Sequence, residues 1–313
     1  MRTEDKILIT GSKGLVGTNL VIALKEKGFH NLLCPTSKEL DLKERKEVFD
    51  FFDKEKPKYV FHIAALVGGI KANIESPVEF LRDNLLMNVN VIDACFQFKI
   101  KKLVNLGSSC IYPKFVKQPM TEESLLTGKF EPTNEGYALS KITSIKLCEY
   151  YNKEYSSNFI SLIPPNMYGI NEKFDLDHSH VLAALIKKFH DAKIRKDLSV
   201  PIWGTGNVLR EFLYVGDCVL GLILAMEKIN PEDLFEKCFL NMGSGEEISI
   251  KNLAILIKEV VGFEGEILFD PSKPEGMERK ILDSSKIKKL GFEEKTKLRE
   301  GIKKTYDYYL TLN

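Results

Sequence analysis

Between residues 7 and 163 the chain alternates short, wholly apolar runs with helix-period segments. The runs are "KILIT", "NLLCP", "YVFHIAA", "KLVNLGS" and "FISLIP". Between them lie "GLVGTNLVIALKEKG", "RKEVFDFFDKEKP", "PVEFLRDNLLMNVNVIDACFQF" and "EGYALSKITSIKLCEYYNKEY". A run with no polar alternation is apolar on both faces, which is the pattern of a parallel strand covered by helices on each side. Right-handed crossovers between such strands give an α/β fold with a doubly wound parallel sheet.

After "PPNMYG", near residue 166, the pattern loosens into a helix ("SHVLAALIKKFHDAK"), a glycine-punctuated stretch ("PIWGTGNVLREFLY"), a helix from Gly216 to Ile229 and further mixed segments. Residues 1–166 are therefore expected to form a Rossmann-like nucleotide domain. Residues 167–313 are expected to form mainly a smaller mixed α/β substrate domain, with roughly 212–242 returning to the first. No internal repeat or flexible linker separates them. A formal net charge of +1 with dispersed Lys and Arg argues against a nucleic-acid partner, and no apolar run is long enough to span a bilayer. The opening "MRTEDKILITGS" lacks a signal-peptide pattern, so a cytoplasmic protein is expected. The six cysteines are scattered, with no metal-ligand spacing, and read as reduced thiols; no metal site is expected.

Gly11, Gly14 and Gly17 follow the first strand and open the first helix. A tight turn, close backbone approach and a helix amino terminus suit a dinucleotide pyrophosphate. Three glycines alone would equally suit a plain strand-to-helix turn. Within a βαβ run, dinucleotide binding is the better reading, with Lys13, Leu15 and Val16 in the same loop. An NAD site usually carries a carboxylate at the end of the second strand. Here "CPTSKELDL" places Ser37 and Lys38 there, and no carboxylate precedes Glu39. Hydroxyl and cationic groups suit a 2′-phosphate, so NADP(H) is the expected cofactor. Asp41 and Leu42 are expected near the adenine, and Ala64, Ala65, Pro164, Asn166 and Met167 along the rest of the dinucleotide.

"YALSK" places Tyr137 and Lys141 four residues apart, on one helix face. A tyrosine with pKa of about 10 exchanges protons poorly at neutral pH, and a neighbouring ammonium is expected to draw it down. Ser108 or Ser109, closing the fourth strand in "LGSSCIYPK", can hold the same substrate oxygen. Cys110 in that stretch reads either as a small buried hydrophobe or as a second chemical group.

The chain resembles the extended short-chain dehydrogenase/reductases, and among them the GDP-L-fucose synthases, which epimerise and reduce GDP-4-keto-6-deoxymannose. The resemblance runs nearly end to end. The glycine loop and YxxxK carry the superfamily; "GSSCIYPK", "SHVLAALIKKFH", "REFLYV" and "KPEGMERK" carry the narrower likeness. It implies that Cys110 and His180 move protons at C3 and C5 of the sugar. It implies further that Ser108, Tyr137 and Lys141 serve reduction at C4. Asn166, Lys188, Trp203, Arg210 and Lys280 match positions in the substrate cleft, beside Ser109 and His180. A homodimer through a four-helix bundle of the two long helices is also implied. Where bacterial relatives often carry arginines, this chain has Lys13 and Ser37. A pure C4-reductase acting on a related GDP-4-keto sugar, such as a heptose, is the competing enzyme reading. A non-catalytic dinucleotide sensor is the other alternative, and Tyr137 with Lys141 argues against it.

Overall fold

A computed structural model describes residues 1–175, 181–234, 237–273 and 276–312. The first half runs β1 (Ile7–Thr10), α1 (Leu15–Glu26), β2 (Leu32–Leu33), α2 (Arg45–Glu55), β3 (Tyr59–His62), α3 (Ile70–Glu75), α4 (Pro77–Gln97), β4 (Lys102–Leu106), α5 (Glu135–Tyr155) and β5 (Phe159–Ile163). The second half begins with β6 (Asn166–Tyr168), α6 (Val181–Arg195), β7 (Ser199–Trp203), β8 (Leu209–Tyr214), α7 (Val215–Lys228) and β9 (Phe239–Asn241). It ends with β10 (Glu247–Ser249), α8 (Ile250–Val261), β11 (Glu266–Asp270), β12 (Arg279–Lys280), α9 (Ser285–Lys289) and α10 (Leu298–Leu310).

The main sheet has six strands in the order β2-β1-β3-β4-β5-β9, and every pairing within it is parallel. Its strands are apolar on both faces because each face is covered. Ile7 and Ile9 of β1 pack with Leu20 and Leu24 of α1 and with Leu222 and Met226 of α7. Leu8, pointing the other way, joins Phe52 of α2, Val91 of α4 and Ile145 of α5. The strand order reverses at β1, with β2 on one side and β3 on the other. In sheets of this kind the crevice beyond the carboxyl ends of the strands flanking that reversal receives ligands.

A second, smaller set of strands gathers on β8: β10 pairs antiparallel to it, and β12 and β6 parallel. β7 and β11 form a separate parallel pair. A third core, with Leu182 and Phe189 of α6, Leu253 and Ile257 of α8 and Ile302 of α10, lies under these strands. The glycine-punctuated stretch forms β7 and β8, joined where Gly204 and Gly206 take positive φ. The long helix begins at Pro77 as expected, and the short α3 stands separate before it, because proline fits a first helical turn but cannot continue one.

Candidate active site

β1 ends in a turn that glycine alone fits. Gly11 has φ +71, and a Cβ there would lie 2.8 Å from the backbone of Ala64. A Cβ on Gly17 would lie 2.1 Å from the Gly11 carbonyl oxygen, so α1 packs directly on its own entry loop. Gly14 caps α1 without a side-chain acceptor, and the first turn holds no acidic residue. Leu15 and the buried Val16 open the helix. Its first N–H groups thus face outward unpaired, which favours an anion. This bare cradle, closed to a side chain at Gly11 and Gly17, fits a dinucleotide pyrophosphate.

Lys13 is exposed, and its charge reaches both Cys34 and Glu39 across the crevice. Glu39 accepts from the Thr36 N–H at 2.7 Å and the Thr36 hydroxyl at 2.8 Å, and these bonds hold its carboxyl below the usual range. The nearest carboxylate is therefore spent on the turn itself. Ser37 and Lys38 stand exposed at its apex. Asp41 accepts from the Lys43 N–H at 3.0 Å, and Leu42 is buried.

On α5, Lys141 is buried, and its Nζ donates to the Leu106 carbonyl at 2.7 Å while lying 5.8 Å from the centre of the Tyr137 ring. Burial draws Lys141 down to about 8. Tyr137 departs from expectation: burial, and then the neighbouring Cys110, push its hydroxyl up rather than down. The pairing of Tyr137 with Lys141 was legible, but the loss of solvent around the phenol was not, and it outweighs an ammonium held at a carbonyl.

Past β4, the Cys110 N–H donates to Ser108 Oγ at 3.4 Å, opening a single 3₁₀ turn. The buried Ser109 donates its N–H to the Pro164 carbonyl at 3.1 Å. Burial pushes the Cys110 thiol up, while Lys280, Ser108 and Lys141 act to lower it. These mutual influences put Ser108, Cys110, Tyr137, Lys141 and Lys280 in one neighbourhood. Asn166 begins β6, and Met167 receives the Cys218 thiol at 3.4 Å.

A buried relay behind the site went unread in the sequence. Thr10 Oγ1 accepts from the Ile63 and Ala64 N–H groups at 3.2 and 3.3 Å and lies 2.8 Å from His62 Nδ1. His62 Nε2 is 3.0 Å from Asn88 Oδ1, and Asn88 Nδ2 donates to the Ser140 carbonyl at 3.0 Å. The consistent assignment has Thr10 donating to Nδ1 and His62 donating from Nε2. Burial holds His62 down to about 3, so it stays neutral. One turn earlier, Asn84 binds both the N–H and carbonyl of Leu66. The legible signal was two asparagines four apart on the apolar face of a helix.

In the second region Arg210 of β8 and Lys280 of β12 are register partners on adjacent parallel strands. Burial lowers Lys280, and Arg210 adds to the effect. Lys188 is half-buried, donating to the Pro201 carbonyl at 3.3 Å, and burial lowers it too. Trp203 is 53% exposed at the end of β7, with Lys273 Nζ 6.0 Å from its ring centre. His180 lies outside the described residues. Among the described residues no cluster of His, Cys, Asp and Glu could hold a metal, and no helix is long and apolar enough to cross a membrane.

The model of the NAD dependent epimerase/dehydratase family matches residues 7–236. The chain belongs to that family. Among its relatives, GDP-L-fucose synthase 1 of Arabidopsis thaliana is 47% identical over 97% of this chain and 93% of its own. Two solved structures from Campylobacter jejuni are also similar. A GDP-6-OMe-4-keto-L-xylo-heptose reductase superposes with a TM-score of 0.96 at 38% identity, covering 100% of this chain and 99% of its own. A GDP-mannoheptose C4 reductase with NADP bound gives 0.92 at 39% identity, covering 99% of each chain.

Proposed function

We propose that the chain is an oxidoreductase and isomerase of nucleotide sugars, using NADP(H) to convert a GDP-4-keto-6-deoxymannose-type sugar to GDP-L-fucose. The observation that carries the proposal is Cys110: a thiol set beside the Ser108–Tyr137–Lys141 group, on the turn that any ketone-handling member needs. The 47% identity to a GDP-L-fucose synthase supports it.

The C4 ketone acidifies the hydrogens on C3 and C5. Cys110, as thiolate, takes a proton from one of these carbons, and the electron pair of the C–H bond moves to the C4 oxygen. Ser108 and Tyr137 donate hydrogen bonds to that oxyanion. His180, as imidazolium, returns a proton to the carbon from the opposite face, which inverts it. When bound, the reduced nicotinamide supplies the hydride that reduces C4. Tyr137 then gives its phenolic proton to the new alkoxide; a hydroxyl kept protonated by burial suits that donor role. Gly11, Gly14 and Gly17 with the start of α1 would hold the pyrophosphate, and Lys13, Ser37 and Lys38 the 2′-phosphate. Arg210 and Lys280, two cations side by side, are each relieved by an anion, which fits the diphosphate of the sugar nucleotide. Lys188 and Trp203 would border the same ligand.

The enzyme is read as cytoplasmic and homodimeric. α4 and α5 lie against each other, and the exposed Val78, Leu86, Leu139 and Tyr150 on them suit a four-helix bundle with a second copy. The nucleotide part is assigned to residues 1–166 with 212–242, and the substrate part to the rest. A second reading, C4 reduction of a GDP-4-keto-heptose without epimerisation, is favoured by the TM-score of 0.96 to a heptose reductase. Product analysis by NMR decides between them, with GDP-4-keto-6-deoxymannose and NADPH incubated in D2O. Deuterium at C3 and C5 of a reduced product is the expected result. Reduction without deuterium at those carbons refutes the epimerase and leaves the reductase; no turnover of this sugar refutes the fucose-forming reading and leaves only a reductase specific for the heptose.

A further inference from the structure

The Cys110 turn and the Lys280 strand come from distant parts of the chain, yet one side chain ties them. Asn241, fully buried at the end of β9, accepts from the Tyr112 hydroxyl at 2.6 Å. Its Nδ2 donates to the carbonyls of Met120 at 2.8 Å and Asp283 at 3.2 Å. Tyr112 lies two residues beyond Cys110, and Asp283 three beyond Lys280. The segment after Lys280 is fastened on every residue. The Ile281 N–H goes to Gln118 Oε1 at 3.1 Å, its carbonyl accepts the Met120 N–H at 2.8 Å, the Leu282 N–H goes to Glu211 at 2.8 Å, and the Asp283 N–H to Met120 at 2.8 Å. Burial keeps Tyr112 protonated, so its donor is constant.

We infer that Asn241 is a positioning residue for the proton-transfer half of the reaction, its amide pinning the turn that carries Cys110 to the strand that carries Lys280. The inference rests on the epimerase reading. Among the described residues, the titratable and charged groups facing Cys110 are Tyr137 and Lys141 on α5 and Lys280 on β12. Arg210 and Glu131 act in turn on Lys280. A thiol pushed up by burial becomes a base near neutral pH only if its cations stay close, and Lys280 is the largest opposing influence. Asn241 thus acts on Cys110 through the placement of that ammonium, while Lys141 stays fixed by its own bond to Leu106.

The test uses Asn241→Ala, and Tyr112→Phe as the milder variant in case the first does not fold. Alkylation of Cys110 by iodoacetamide, followed across pH by peptide mass spectrometry, reads the thiol directly without substrate. Release of the pin is expected to raise the alkylation midpoint by roughly 0.5–1 pH unit. The ratio of epimerised to non-epimerised reduced product is expected to fall by roughly three- to tenfold at neutral pH, since a unit of midpoint is a tenfold change in thiolate. That ratio does not depend on the fraction of folded enzyme, so general damage leaves it unmoved. An unchanged midpoint and ratio in a native enzyme that exchanges C3 and C5 protons overturn the role of Asn241 alone. A native enzyme that reduces without exchange overturns the epimerase reading, and this role with it.

Discussion

Replacing Gly17 by alanine tests whether the first helix is seated on its entry loop as tightly as the geometry requires. The added methyl would stand 2.1 Å from the Gly11 oxygen, 2.7 Å from Ser12 Cα and 2.8 Å from the Gly11 carbonyl carbon. All three are backbone atoms, so no rotamer change relieves the overlap, and α1 must move outward by about 1 Å to restore contact distance. Overpacking at an unyielding site costs about 3 kcal/mol. Alanine's better helix propensity returns about 1 kcal/mol. The net loss is about 2 kcal/mol, or about 4 °C of Tm in a chain of this size. The moved helix also withdraws its first N–H donors from the pyrophosphate, and loss of one charge-assisted bond weakens NADPH binding by roughly tenfold or more. Gly14→Ala is the control. Its methyl meets only the Gly11 oxygen, at an ordinary 3.5 Å, so Tm is expected to hold within about 2 °C. Calorimetry and fluorescence titration with NADPH read both quantities. A Gly17→Ala protein with native Tm and native affinity, or a Gly14→Ala protein as unstable as it, refutes the reasoning.

Two further outcomes follow from buried titratable groups. Lys141, drawn down to about 8, is expected to lose its proton in the folded chain well before it does so in the unfolded one, near 10.4. The unfolded state then binds more protons between pH 8 and 10.4, so stability rises with pH across that window by up to about 3 kcal/mol. Lys141→Met should abolish turnover and remove this share of the rise in urea-unfolding stability, leaving the smaller part due to other buried lysines such as Lys102 and Lys280; a slope unchanged by the substitution counts against burial of the Lys141 ammonium. His62, held at about 3 in the folded chain, is protonated first in the unfolded one, below about 6.5. Stability is expected to fall by about 2 kcal/mol between pH 6.5 and 5, and His62→Gln should remove that share of the slope even if it lowers stability at pH 7. Equal slopes with and without His62 contradict the neutral relay.

The parts of this fold that could be read from the chain are those governed by neighbours in sequence. Ile7, Leu8 and Ile9 are apolar in succession because β1 has a core on both faces, and a run of that kind has few other uses. Gly11 and Gly17 are legible because the turn and the helix–loop contact exclude a side chain. Tyr137 and Lys141 share a helix face by spacing alone. The direction of the Tyr137 shift was not legible, since it comes from residues that enclose the phenol and not from the one that pairs with it.

The polar bonds that shape the site obey a different rule. Tyr112 and Asn241 are 129 residues apart, Met120 and Asn241 121, and Leu282 and Glu211 71. No periodicity announces such partners, because one amide or carboxylate makes the connection and the surrounding residues are free to vary. Their energetics also differ from those of the core. Each buried donor or acceptor contributes little when satisfied, but costs about 1–3 kcal/mol when its partner is removed. The apolar pattern therefore specifies the sheet and its helices, whereas a few long-range amides and carboxylates specify how the two halves of the site meet. A chain can keep the first and change the second. In the reaction proposed for this chain, inversion of the carbons beside the ketone therefore draws on the seam between the Cys110 turn and the Lys280 strand, and not on the nucleotide cradle.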